Sequence, residues 1–359
     1  MKKRFLTFLL LVCSISMVNG QGVGLPSKRG GIGFGNLPHF AGIRFNFKDR
    51  GVDKIAGINI TVWQSKHEDE QTGTMTGLAI GLPMALGVEH QRGIGLAVGG
   101  VGARRSLSGI NLAGIAVGAG ESVRGINVAG LGIGAGGDLK GINLGGLGAG
   151  AGGDAKGINI GGLGVGAGGN LVGINAGGLG VGAGGSVRGF NFGGLGVGAG
   201  ENLKGVSVSL IGIGAGGVVS GIQVAGIGIG GGERVGGLSI AGIGIGGSEV
   251  KGIALAPAVG AETVVGIVIA PAYFRVGDES NRKSEDAEEY TSDLEGSMRG
   301  VAVSAFNQIK GDQIGVTFGV VNYAKRIKGV QFGLINIVRE NPKGLRVLPI
   351  FNTRFYKKS

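Results

Sequence analysis

One cysteine, one tryptophan, three histidines and seven prolines are spread over 359 residues, and each scarcity removes a class of protein. Cys13 lies in an apolar N-terminal run. A chain without it has no thiol, so no disulfide framework, thiolate metal site or cysteine nucleophile is expected. His39, His67 and His90 stand singly, with no spacing that suits a shared metal. No Gly-Lys dipeptide occurs, which excludes a P-loop. Few prolines, no Gly-X-Y triplet and only 16% charged residues exclude collagen and charge-rich disorder alike. What the chain has is glycine, 85 residues of it, together with 43% hydrophobic residues that need a place to be buried.

The start reads as an address. Lys2-Lys3-Arg4 precedes the apolar run Phe5 to Val12, and Val18-Asn19-Gly20 leads to Gln21. Basic start, short apolar core and small-residue end predict a signal peptide over residues 1–20 and an exported chain beginning at Gln21. The location expected is the outer membrane or cell surface, with the periplasm as the alternative. Residues 21–41 form an N-terminal segment and 42–359 a single repeat domain.

The repeat carries most of the information. Segments opening like Gly125-Ile126-Asn127 begin at Gly77 and recur every 16 residues to Gly237, and the regular array runs over 77–252. Looser copies open at Gly42, Gly57, Gly252, Gly266, Gly300, Gly315, Gly329 and Gly344. In the unit 125–140 the apolar residues fall at Ile126 and Val128, then at Leu131, Ile133 and Ala135, so each half alternates as a strand does. Breaks at Ala129-Gly130 and at Gly137-Asp138 predict two corners. Ile126, Val128, Leu131 and Ile133 are the expected inward set.

Three architectures fit, of which a flat silk-like stack, suggested by runs such as Leu163 to Gly168, ranks last because the rest of the unit is not repetitive enough. In an all-β solenoid each 16-residue unit is one coil of two short strands, and identical units stack about 4.8 Å apart. In a transmembrane β-barrel of about 19–20 short strands each unit is one strand with a central bulge. Barrels show aromatic girdles, whereas residues 64–272 contain only Phe190 and Phe192 as aromatics; the solenoid is the preferred reading, with atypical aromatic units at both ends. The uncharged stretch 205–232 carries 11 glycines, too many for a transmembrane helix.

Gly329-Val330-Gln331-Phe332-Gly333-Leu334-Ile335-Asn336 and the closing run from Asn341 to Asn352 resemble the Gly-rich surface-repeat proteins of Gram-negative envelopes, with their Gly-Val-Gln-Ile-Gly-Leu-Ile-Asn modules. The resemblance implies an envelope location and supplies no catalytic residue.

Nothing in the composition points to an enzyme or a cofactor. Gly-x-Gly-x-x-Gly matches recur through the array without a strand-to-helix context, so no nucleotide is assigned to them. One segment is dense in charge: the insertion 277–297, whose Asp278, Glu279, Glu285, Asp286, Glu288 and Glu289 are a weak candidate for a cation-binding or partner-binding loop. They lack the alternating oxygen spacing of an EF-hand. The formal charge is +11, of which Lys2, Lys3 and Arg4 supply three, and in 299–359 only Asp312 and Glu340 are acidic. Envelope lipid, lipopolysaccharide or a glycan are the expected partners, with self-association through glycine-rich faces; no nucleic-acid platform is visible. The overall expectation is a structural or adhesive surface protein, or, for the barrel, a pore or scaffold in the outer membrane.

Overall fold

A 16-residue unit carrying two alternating halves can satisfy its backbone only by pairing with a copy of itself, and this is what the chain does. The computed structural model describes residues 22–63, 68–277 and 296–355. It divides into two compact units that meet in sequence at Gly177 and Gly178.

In the N-terminal unit Val23–Ser27 runs antiparallel to Gly30–Phe34, and every later ladder is parallel. The regular coils alternate a long strand, such as Ser122–Ala129 or Asp138–Gly145, with a short one, such as Gly132–Ala135 or Gly148–Ala151. Long strands pair with long and short with short, residue i with residue i+16: Ile126 with Ile142, Ile133 with Ala149. These are the coils of a β-solenoid. A transmembrane barrel pairs consecutive strands antiparallel, so the barrel expectation is set aside. The corners fall where glycine marked them, between Ala129 and Gly132 and between Ala135 and Asp138.

The C-terminal unit repeats the scheme from Gly180–Ala183 onward and closes on Val347–Thr353, which runs antiparallel to the end of Val321–Val338. Its ladder pairs Gly266 directly with Gly300, so the acidic insertion interrupts the repeat without interrupting the pairing. Gly344 opens no coil: it lies in a short 3-10 turn, Lys343–Leu345. Gly31 does occupy an opening position, paired with Gly42, and the spacing had not revealed it.

The inward set differs from expectation. Ile126 is 41% and Leu131 49% exposed, and Val128 is half-exposed; of the four expected, only Ile133 is buried. The interior is built instead from Val123, Asn127, Ala129, Ile133, Ala135 and Leu139. A single alternation phase is kept around the whole coil, and Leu131 turns outward at a corner. The reason is polar. Asn127 is fully buried because stacking puts the same amide at the same height in each coil, and Asn111, Asn127, Asn143, Asn159 and Asn175 form a ladder. Each Nδ2 donates to the Oδ1 of the next at 2.8–2.9 Å. A buried amide satisfied on both sides costs little, which frees the apolar positions 2 and 4 of the unit to face outward.

The glycines divide into two kinds. Gly125, at the opening position, has φ +112°, and a Cβ there would lie 2.0 Å from the carbonyl oxygen of Gly109. Gly134, on the outer side of the short-strand sheet, would meet nothing within 4 Å. Gly125→Ala is therefore expected to destabilise by at least ~2 kcal/mol through left-handed strain and the backbone clash. Gly134→Ala should be neutral or stabilising by up to ~1 kcal/mol, because it restricts only the unfolded chain. Chemical denaturation of the two variants checks the pair.

Candidate functional site

The titratable groups of the described residues fall into small local clusters. No group of three or more His, Asp or Glu suited to a metal occurs among the described residues. Asp278, Glu279, Glu285, Asp286, Glu288 and Glu289 lie outside the described residues, as do His67 and the expected signal peptide. His39 Nδ1 contacts an Asp53 carboxylate oxygen at 2.9 Å, exposed to solvent, and His90 Nδ1 contacts Ser106 Oγ at 2.7 Å. His90 Nε2 also lies 3.9 Å from Glu89, whose carboxylate is held by Arg104 and Arg105 at 3.3 and 3.0 Å.

One buried charge was not foreseen. Arg44 is fully buried at the third position of its unit, the column that elsewhere carries the asparagine ladder. Its Nε donates to Asn59 Oδ1 at 2.9 Å and its Nη1 to the Leu37 carbonyl at 2.8 Å, while Nη2 pairs with Asp49. Asp49 also accepts from Asn46, Asn59 and Thr61, each at 2.9 Å. Burial lowers the Arg44 guanidinium to about 10, still charged at neutral pH. With each guanidinium nitrogen directed at a protein oxygen, the cluster fills the first coils as a polar plug. The clue in the sequence was an arginine standing where the repeat calls for asparagine.

What the fold does present is a surface. On each long strand, positions 16, 2 and 4 of the unit point outward, and the corner at position 7 follows. In the N-terminal unit Ile94, Ile110, Ile126 and Ile142 form one outward row, in register from coil to coil. Ile115, Leu131, Leu147 and Leu163 form the corner row, each about half exposed. The C-terminal unit carries Phe190, Ile222, Ile253 and Ile267 at position 2 and Leu179, Leu195, Ile211 and Ile227 at the corner. Near the ends, position 4 becomes aromatic: Phe34 stacks on Phe45 and Phe318 on Phe332, with ring centroids 5.4 and 5.3 Å apart. Contiguous apolar rows of this length exceed the isolated exposed side chains of an ordinary surface and mark an interaction face.

No protein-family model, no curated protein and no solved structure matches the chain. The face must be read from its own residues.

Its border is charged. Position 16 holds Arg124, Lys140, Lys156, Arg188 and Lys204, and position 14 holds Asp138 and Asp154. Lys140 Nζ donates to Asp138 at 2.6 Å, and Lys156 pairs with Asp154 at 2.8 Å. The carboxylates also cap the coil above: Asp138 Oδ1 accepts the Asp154 N–H and Asp154 Oδ1 the Asn170 N–H. The Lys140 ammonium and that N–H hold Asp138 below the usual carboxylate range, and Lys156 with the Asn170 N–H lowers Asp154 to about 2. In return Asp154 raises the Lys156 ammonium. A carboxyl depressed on folding contributes stability above its unfolded value, near 3.9, which is lost as pH falls through its folded value. Acid titration followed by circular dichroism should therefore show stability falling between about pH 4 and pH 2, less steeply in Asp154→Asn.

Proposed function

We propose that the chain is an exported, non-enzymatic repeat protein of the cell envelope with a structural or adhesive role, working through the outward apolar face of its long strands. The observation that carries this reading is the set of in-register rows at positions 2 and 7, Ile126 beside Ile142 and Leu131 beside Leu147, left in solvent. The cost of exposing so much apolar surface is offset only when a partner covers it. The export-like start at Lys2-Lys3-Arg4 and the resemblance of residues 329–336 to envelope repeat modules supply the address. In each unit the described side chains offer a regular apolar contact surface.

Fractionation of cells expressing the full chain tests this. The expected result is recovery with the envelope and release by a high-pH carbonate wash, as for a protein held on a surface. Recovery in the soluble cytosolic fraction would overturn the reading.

A further inference from the structure

Two features of the long-strand face, taken together, specify what covers it. The first is the apolar rows. The second is a set of cations beside them on the long strands, Arg92 and Arg124 in the N-terminal unit and Arg188, Lys204, Lys251 and Arg299 in the C-terminal unit, each two residues before the apolar residue at position 2. All six are exposed, and none forms an ion pair with a described residue. Register brings Arg188 beside Lys204 in the C-terminal unit, and Lys251 and Arg299 either side of Val265. The acidic residues at position 14 are already engaged: Asp138 on Lys140, Asp154 on Lys156, Glu249 on Arg234 and Asp312 on Arg326.

We infer that this face seats on an anionic phospholipid bilayer, with the position-2 and corner side chains in the headgroup and upper acyl region and the position-16 cations on lipid phosphates. The inference rests on the functional reading above and names its partner. Apolar side chains flanked by unpaired Lys and Arg are the composition of an interfacial membrane contact. A second copy fits less well. Apposed with the charged borders together, two copies set unpaired cations against unpaired cations; apposed the other way, they bury those cations on apolar rows. Neither arrangement supplies an acidic row, and a buried unpaired charge is costly. A bilayer supplies phosphates along its whole plane. Each coil adds roughly 100 Å² of face, taking about six residues at 3.3 Å across the strand and 4.8 Å along the stack. Attachment thus accumulates over many weak, equivalent contacts. The stacked, exposed phenylalanines at position 4, Phe34 on Phe45 and Phe318 on Phe332, suit the same boundary.

Co-sedimentation of the purified full chain with vesicles tests this, using equal parts phosphatidylglycerol and phosphatidylcholine against phosphatidylcholine alone. Binding to the anionic vesicles is expected to be at least ten-fold tighter than to the neutral ones, and to weaken several-fold when salt is raised from 50 to 500 mM. The triple variant Arg188→Gln, Lys204→Gln, Lys251→Gln should lose most of the anionic preference. Phe190→Ser with Phe192→Ser should weaken binding to anionic vesicles several-fold. All five positions are exposed, so the variants should keep the wild-type circular dichroism spectrum, which is recorded alongside. Absence of vesicle binding, equal binding to both compositions, or a soluble dimer whose formation removes binding would each overturn the inference. Envelope recovery without vesicle binding would sink this inference alone, whereas vesicle binding by a cytosolic protein would sink the envelope reading.

Discussion

Leu139→Asp is expected to abolish the folded N-terminal unit, and Leu131→Asp, eight residues away in the same coil, to leave it intact. Leu139 is 0% exposed and sits in a column with Leu107, Val123, Ala155 and Leu171, paired coil to coil and closed to water along its length. A carboxyl placed there finds no donor row. It must be buried charged or be neutralised, and either costs several kcal/mol against a total stability of about 5–15 kcal/mol. Because each coil is the template for the next, the damage spreads to the neighbours. Leu131 is 49% exposed at a corner, and its coil-to-coil bond runs through the backbone, from its own N–H to the Ile115 carbonyl. Its side chain can become polar without cost to the core. Far-ultraviolet circular dichroism and thermal melts of the two variants give the answer; the opposite ranking would reverse the inside and outside of the coil.

Breaking the asparagine ladder at its centre should cost nearly as much. Asn143→Leu removes the acceptor of Asn127 Nδ2 and the donor to Asn159 Oδ1, leaving two buried polar atoms without partners. Each orphan costs about 1–3 kcal/mol, so a loss of about 2–6 kcal/mol is expected. The collective change should behave differently. With Asn111, Asn127, Asn143, Asn159 and Asn175 all changed to Leu, no orphans remain inside the run, and the loss should fall well below five times the single-site value. Urea denaturation of the single, adjacent-double and five-fold variants measures this. Strict additivity would mean that the ladder is a set of independent amides and not a connected network.

The period of 16, both corners and the preference for a stack over a barrel were legible in the residues, because glycine and alternation record backbone geometry directly. The inside and outside of the long strand were not. Pattern reading sends apolar residues inward, and Ile126 and Val128 look like core, while Asn127 looks like surface. What reverses the assignment is a contact 16 residues away: an amide that would be costly to bury alone is satisfied by its own copy in the next coil. The one signal available was the recurrence of asparagine at that position over six successive units, 111 to 191, stricter than a solvent-facing residue needs. The Arg44 cluster was hidden for a related reason. Its carboxylate partner, Asp49, lies outside the strand and enters the interior only after the chain has turned. The apolar face became visible only once the core was filled by other residues, and the unpaired cations beside it only once ion pairing was known.

The pairing of residue i with residue i+16 also sets the order in which the molecule can be made. All-β proteins are usually slow to fold because their strands are joined by contacts distant in sequence. In the regular coils of this chain the next strand to be paired is always 16 residues away, however long the stack becomes. The local hairpin of Val23–Ser27 with Gly30–Phe34 supplies a first edge, and the plug around Arg44 fixes it before the regular coils begin. From there each coil closes one short loop onto a finished neighbour, at a loop-closure entropy that does not grow with chain length. Within the N-terminal unit, folding can proceed as a zipper that needs only the residues already delivered.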